Sequence, residues 1–194
     1  MVILDRDGTI NQDSDRFVKS ADEWIPLPGA LQAIARLNQA GCQVVVATNQ
    51  SGLGRGLFDM AALNSMHEKM NRLLAIEGGR IEAVFFCPHV AADRCNCRKP
   101  MPGLFEQIAQ RFKVDLRQIP AVGDSLRDLQ AAHTAGALPY LVLTGKGQAT
   151  HDQGGLPVNT VVCRDLSAFV DDLLNQSSAG DNGNIAQSTV SKDA

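Results

Sequence analysis

No part of this chain approaches the roughly 20 consecutive apolar residues that a membrane-spanning helix requires. The opening, acidic at Asp5 and Asp7 where a secretory leader would be basic, carries no export signal, so a cytoplasmic, reducing location is the expectation. A basic excess is also lacking. Eighteen Lys and Arg stand against 21 Asp and Glu, for a net charge of −3, and the electrostatic footprint of a nucleic-acid binder is therefore missing. Internal repeats are absent as well. What remains is 194 residues that are 44% hydrophobic, enough for one substantial core. The expectation is a monomer with neither membrane nor nucleic acid as a partner. From residue 177 onward the composition turns to Ser, Gly, Asn, Asp, Gln and Thr, which predicts one domain over 1–176 and a disordered tail over 177–194.

Within the domain, Gly and Pro punctuate alternating strand and helix patterns. Short apolar runs end or lie at Leu4, Val44 to Ala47, Ile81 to Phe86, Ala121-Val122, Tyr140 to Leu143 and Thr160 to Cys163. Between them, Pro28-Gly29 opens a helical stripe of Leu31, Ile34, Ala35 and Leu37 stopped by Gly41. Asp59 reads as the N-cap of a longer helix bearing Leu63, Met66, Met70, Leu73 and Leu74, ended by Gly78-Gly79. Further helical stripes span 104–112, 126–135 and 166–174. The Met-rich stripe reads as core, and Cys42 and Cys163 as ordinary small buried residues. Such alternation builds right-handed crossovers, so the expected fold class is α/β, a Rossmann-like three-layer arrangement on a parallel sheet.

The first strand delivers Asp5 and Asp7, one residue apart, followed by Gly8-Thr9. Ligands of open α/β sheets bind beyond the carboxyl ends of the strands, and two carboxylates this close repel unless a cation or a shared proton intervenes. The plain alternative is a polar strand end closed by an Asp-Gly turn. Three later segments add to the pattern. Thr48 ends another apolar run and offers a hydroxyl, with backbone donors from Asn49 onward; Lys99 supplies a point cation; Asp124 brings a third carboxylate to the end of another strand. Together they suit a phosphoryl group held beside a hard divalent cation, Mg²⁺ being the usual choice.

A second cluster lies just before Lys99. Cys87, His89, Cys95 and Cys97 fall within one short loop, a Cys₃His set suited to closed tetrahedral zinc. With all four positions filled by protein, such a zinc is structural and pins the loop carrying Arg98 and Lys99. Free thiols or a disulfide are the alternative.

On Asp5-Arg6-Asp7-Gly8-Thr9, Thr48, Lys99 and Gly123-Asp124, in that order, the chain resembles the haloacid dehalogenase superfamily of phosphotransferases. The resemblance implies that Asp5 is the nucleophile forming an aspartyl-phosphate and that Asp7 is the general acid, then base. It implies that Thr48 and Lys99 hold phosphoryl oxygens, and that Mg²⁺ is bound by the carboxylates of Asp5 and Asp124 and the backbone carbonyl of Asp7. Neither the interval from Asp7 to Thr48 nor that from Thr48 to Lys99 has room for a large cap domain, so short loops (11–24, 50–58 and the cysteine loop) must shape the mouth.

The run Thr48-Asn49-Gln50-Ser51-Gly52-Leu53-Gly54-Arg55-Gly56, with Cys-Pro-His before Cys-x-Cys-Arg-Lys-Pro, is similar to the branch of that superfamily comprising heptose-bisphosphate and histidinol-phosphate phosphatases. That likeness implies a small phosphorylated sugar as substrate, a heptose 1,7-bisphosphate of lipopolysaccharide-precursor synthesis losing its 7-phosphate. A second phosphate requires further cations, for which Arg98 and Arg55 are candidates. Asn49, Gln50 and Ser51 join them as substrate-binding candidates, and Asp13-Ser14-Asp15-Arg16 is read as meeting sugar hydroxyls or the distal phosphate. Arg55 and Arg16 have solvated loop charges as their alternative. The short spacing from His89 to Cys95 resembles the histidinol-phosphate enzyme as much as the heptose one, so histidinol phosphate is the rival substrate. A phosphosugar-binding scaffold without turnover is the rival of another class.

Overall fold

Period-two alternation along the central strands sorts their apolar side chains onto two faces. A computed structural model describes residues 1–182, with side chains described as far as 176. Six strands, β1 (Val2–Leu4), β2 (Val44–Asn49), β3 (Ala83–Cys87), β4 (Pro120–Gly123), β5 (Leu138–Val142) and β6 (Val161–Cys163), form one sheet in the order β3-β2-β1-β4-β5-β6. Every neighbouring pair is parallel. Val2, Leu4, Val44 and Val46 point into one apolar layer together with α1 (Ala30–Gln39), α3 (Met60–Ile76) and α7 (Leu166–Asn182). Ile3, Val45 and Ala47 point the other way, against α4 (Gly103–Phe112) and α5 (Leu126–Thr134). The result is the expected three-layer α/β sandwich, and no large cap domain is present among the described residues.

The strand order places the site. From β1 the chain builds outward through β2 and β3 on one side, then returns to β4 on the other and continues to β6. The crevice where the order reverses opens beyond the carboxyl ends of β1 and β4, where Asp5 and Asp124 emerge.

Several local readings hold in detail. Asp59 caps α3 by accepting from the Ala62 amide at 2.8 Å, and Leu63, Met66, Met70 and Leu74 are buried beneath it. Cys163 is buried, whereas Cys42 is only partly so. Two short helices carry no apolar period and escape a pattern reading: α2 (Ser51–Gly54) and α6 (Gly147–Gln153). The last helix runs to Asn182, six residues past the boundary expected at 176. The disordered tail expected over 177–194 is thus helical at its start, and 183–194 lie outside the described residues.

The 11–24 loop is anchored from beneath. Trp24, the chain's one tryptophan, is fully buried, with Val18 nearly so, in the layer holding α1 and α3. Trp24→Ala should cost about 3–5 kcal/mol by urea unfolding followed by circular dichroism. A loss under about 1 kcal/mol would mean that the loop is not rooted in the core.

Candidate active site

Asp5 leaves β1 with its side chain against Lys99. The Lys99 ammonium, 2% exposed, donates to Asp5 Oδ1 at 2.8 Å and to the carbonyl of Ala47 at 2.7 Å, and pairs with Asp128 Oδ1 at 2.7 Å. One buried cation is therefore shared between two carboxylates. Burial alone would lower the lysine's pKa, but Asp128 and Asp5 hold it above its ordinary value. Burial would likewise raise Asp128, yet Lys99 and the Ser125 hydroxyl keep that carboxyl below the usual range.

The remaining acids behave oppositely. Burial pushes Asp5 up to about 6, against the pull of Lys99 and with a push from Asp128. Burial, then the charges of Asp128 and Asp5, push Asp124 up to about 8. Carboxylate oxygens of Asp5, Asp124 and Asp128 lie within 4.8 Å of one another. Asp128 is committed to Lys99 and Ser125 and Asp5 shares that lysine, so one cation stands against three carboxylates and Asp124 has no ion pair among the described residues. A hard divalent cation with oxygen ligands fits that deficit. Asp128 was not assigned a role from the sequence; its signal was its position three residues after Ser125, the N-cap of α5, where an acid closes a capping box.

Asp7 stands apart from this cluster through its carboxylate. Arg6 reaches it with Nε and Nη2 at 2.9 to 3.1 Å, Asn11 Nδ2 at 2.9 Å and Gln50 Nε2 at 2.9 Å. Arg6 is fully buried and also donates to Gln50 Oε1 at 3.2 Å. Neither Arg6 nor Asn11 is legible as a site residue from the motif, because both act on Asp7 from below.

A cavity of about 280 Å³ opens over these groups, lined at its floor by Asp5, Asp7, Thr48 and Lys99. Asp13, Ser14, Asp15, Asn49, Gln50, Ser51, Arg55 and Arg98 line it as the sequence predicts. Arg16 does not: it faces a neighbouring depression on the outer side of the loop, because the Asp13–Phe17 turn directs it away. Asn49 and Gln50 spend their side-chain amides inside the site. Asn49 donates to the Lys99 carbonyl at 3.0 Å and accepts from the Lys99 amide at 3.1 Å, and Gln50 also donates to Thr48 Oγ1 at 3.0 Å. These amides position Lys99 and Asp7. Arg127 and Lys146, not singled out beforehand, line the cavity too.

The cysteine loop begins at the end of β3. The Cys87, Cys95 and Cys97 sulfurs are 3.2 to 3.6 Å apart, and His89 Nδ1 is 3.6 Å from Cys87 Sγ and 3.3 Å from Cys97 Sγ. A zinc tetrahedron with bonds of about 2.3 Å has S···S edges of roughly 3.8 Å, close to this spacing. The four donors fit zinc. Arg98 Nη1 donates to the His89 carbonyl at 3.2 Å, binding the stretch before Lys99 to the tetrad.

Two measurements check these metal sites. In metal-free protein Asp5 and Asp124 titrate above their unfolded value of 3.8, so they favour the folded state at low pH, and this contribution is lost as pH rises through about 6 and about 8. Mg²⁺ opposes that loss, and the Tm gain it gives should grow from about pH 5 to about pH 8.5; a gain independent of pH would deny it these ligands. Cys97→Ser should lose stoichiometric zinc by metal analysis and lower Tm, as apparent structural-zinc affinities of about 10–16 kcal/mol in small domains imply. A protein purified without zinc and unmoved by the substitution would leave the cluster as plain thiols.

Comparison with known proteins agrees with this geometry. The family model described as haloacid dehalogenase-like hydrolase matches residues 2–136. The D-glycero-beta-D-manno-heptose-1,7-bisphosphate 7-phosphatase of Bordetella bronchiseptica is 62% identical over 176 residues, 91% of this chain and 98% of that protein. The enzyme of the same name from Pseudomonas aeruginosa is 49% identical, over 90% of this chain and 97% of its own. The crystal structure of the B. bronchiseptica D,D-heptose 1,7-bisphosphate phosphatase complexed with magnesium and phosphate superposes with a TM-score of 0.90 at 63% identity, covering 90% and 98% of the two chains. The chain belongs to the haloacid dehalogenase-like hydrolase family.

Proposed function

We propose that this protein is a phosphatase that removes the 7-phosphate of D-glycero-β-D-manno-heptose 1,7-bisphosphate, with Mg²⁺ at Asp5 and Asp124 and zinc in the cysteine loop. The observation that carries the substrate is the cavity's rim. Arg55, Arg98 and Arg127 line it, and none of the three makes an ion pair with a carboxylate among the described residues. A substrate bearing a second phosphate satisfies such a rim, whereas a cationic histidinol phosphate does not. Relatives that share nearly their whole length with this chain carry the name of that activity, and the similar crystal structure is described with magnesium and phosphate. A thiol–imidazole tetrad kept free for zinc suits the reducing conditions of a cytoplasm. No helix among the described residues is long and apolar enough to cross a membrane.

In this reading Lys99 orients Asp5 by holding Oδ1, and an Asp5 carboxylate oxygen attacks phosphorus in line. The bond from phosphorus to the O7 oxygen breaks while Asp7 gives that oxygen its proton. An aspartyl-phosphate is left on Asp5. Asp7, now a carboxylate, takes a proton from water as the water oxygen attacks phosphorus, releasing inorganic phosphate and restoring Asp5. Bound Mg²⁺ supplies charge neutralisation for the phosphoryl oxygens. The Thr48 hydroxyl holds those oxygens and Lys99, its protons engaged by Asp5, Ala47 and Asp128, offers them its charge, while Arg6, Asn11 and Gln50 set the direction in which Asp7 points.

The test compares kcat/KM for the 1β,7-bisphosphate, its 1α anomer and L-histidinol phosphate under Mg²⁺. A preference for the β-bisphosphate over histidinol phosphate of at least about 100-fold is expected; the reverse order would reassign the substrate and keep the chemistry. Asp5→Asn should lower turnover of every substrate by about 1,000-fold or more with Tm retained, and appreciable residual activity would remove Asp5 as nucleophile.

A further inference from the structure

The segment Thr144-Gly145-Lys146, between β5 and α6, has no part in the reaction above, yet it is wedged against two pieces of the site. Thr144 Oγ1 donates to the Gly8 carbonyl at 2.7 Å, and the Lys146 amide donates to Asp124 Oδ2 at 2.7 Å. Gly145, at φ +57°, passes so close that a Cβ there would collide with the Asp124 carboxylate and with Gly8. The backbone of this segment therefore braces Asp124 and the turn after Asp7.

The Lys146 side chain points the other way, to the mouth. Its Nζ lies 3.2 Å from Asp13 Oδ2 and 3.2 Å from Asp15 Oδ1 on the 11–24 loop. The two pairs are unequal. Asp13 is 21% exposed and Asp15 91%, with Lys146 itself 46% exposed, so water screens the second pair more than the first and leaves Asp13 as the stronger tie. The same loop has other fixings: Trp24 and Val18 in the core, Lys69 Nζ donating to the Ala21 carbonyl at 2.6 Å, and the Arg55 guanidinium 5.8 Å above the Phe17 ring. Between them its tip would be held only by its own turn, in which Phe17 donates to the Ser14 carbonyl and Ser14 to Asp13 Oδ1.

We propose that Lys146 is a specificity-positioning residue: its main chain braces Asp124 while its ammonium fastens Asp13, fixing the loop tip as the wall that receives the body of the substrate. This rests on the heptose bisphosphate reading only for the choice of substrate. It also gives the paired acids a reason to sit at the entrance of an anion site, since Lys146 compensates them. A small phosphate that does not reach the wall gains nothing from the tie.

The test is Lys146→Met, which keeps the backbone amide on Asp124. Against heptose bisphosphate kcat/KM should fall about tenfold, mainly through KM, while a small aryl phosphate loses less than about twofold. Asp13→Asn should reproduce the loss, Asp15→Asn should not, and Lys146→Arg should recover most of it. Adding Lys146→Met to Asp13→Asn should cost nothing more. A full further loss in that background would mean that Lys146 touches the substrate itself, and equal losses on both substrates would mean that Asp124 has been disturbed; either overturns the proposal. Hydrogen exchange gives a readout independent of substrate: amides of residues 12–19 should exchange faster in Lys146→Met, and unchanged exchange would refute the tie. Failure of the heptose reading would instead show as poor turnover of the bisphosphate by the unaltered protein with the exchange result intact.

Discussion

A single buried ammonium organises the end of this sheet. Lys99 is the cation that makes it possible to concentrate Asp5 and Asp128 in a nearly water-free space, and it touches both together with the Ala47 carbonyl. Without it the two acids would repel and take up protons instead of remaining charged. Much of the surrounding structure serves to keep that lysine in place. Asn49, at the end of β2, grips its main chain from both sides, and the cysteine loop holds the residues that precede it. The tetrad is thus connected to the chemistry through two residues of chain, from Cys97 to Lys99.

The same principle, charge held by partners brought from elsewhere in the chain, governs the other acids. Asp7 is fastened by Arg6, Asn11 and Gln50, so three neighbours decide where one carboxylate points. Asp124 is contacted by the Lys146 amide and crowded by Gly145, while its charge is left for a cation. Asp5, which has only a share of Lys99, and Asp124, which has no ion pair among the described residues, are the ones that burial raises to about 6 and about 8. A site in this condition is built for an ion that the chain itself does not supply.

Above this floor the walls are loops, and their rigidity comes from unrelated sources. Core burial of Trp24 roots the 11–24 loop; the cysteine–histidine cluster stiffens the stretch before Arg98; ion pairing at Lys146 steadies the tip. In the absence of a large cap among the described residues, selectivity depends on how firmly these short segments are held.

The sequence by itself determined the alternation of strands and helices, the four ordered motif positions and the Cys₃His set, because each is carried by spacing along the chain: period two in the strands, helical stripes between Gly stops, and ligands separated by one residue or a short loop. It also indicated Asp13, Ser14 and Arg98 as lining the mouth. Only the tertiary structure decided that Arg16 turns outward, that Asn49 and Gln50 spend their amides on Lys99 and Asp7, and that Arg6, Asn11, Asp128, Arg127 and Lys146 belong to the site. It decided as well that the last helix continues to Asn182. The reason is common to these cases. A side chain's partner across the sheet is set by which strands are neighbours and how loops fold over them, and Lys146 meets Asp13 from more than a hundred residues away, a distance that no local period records.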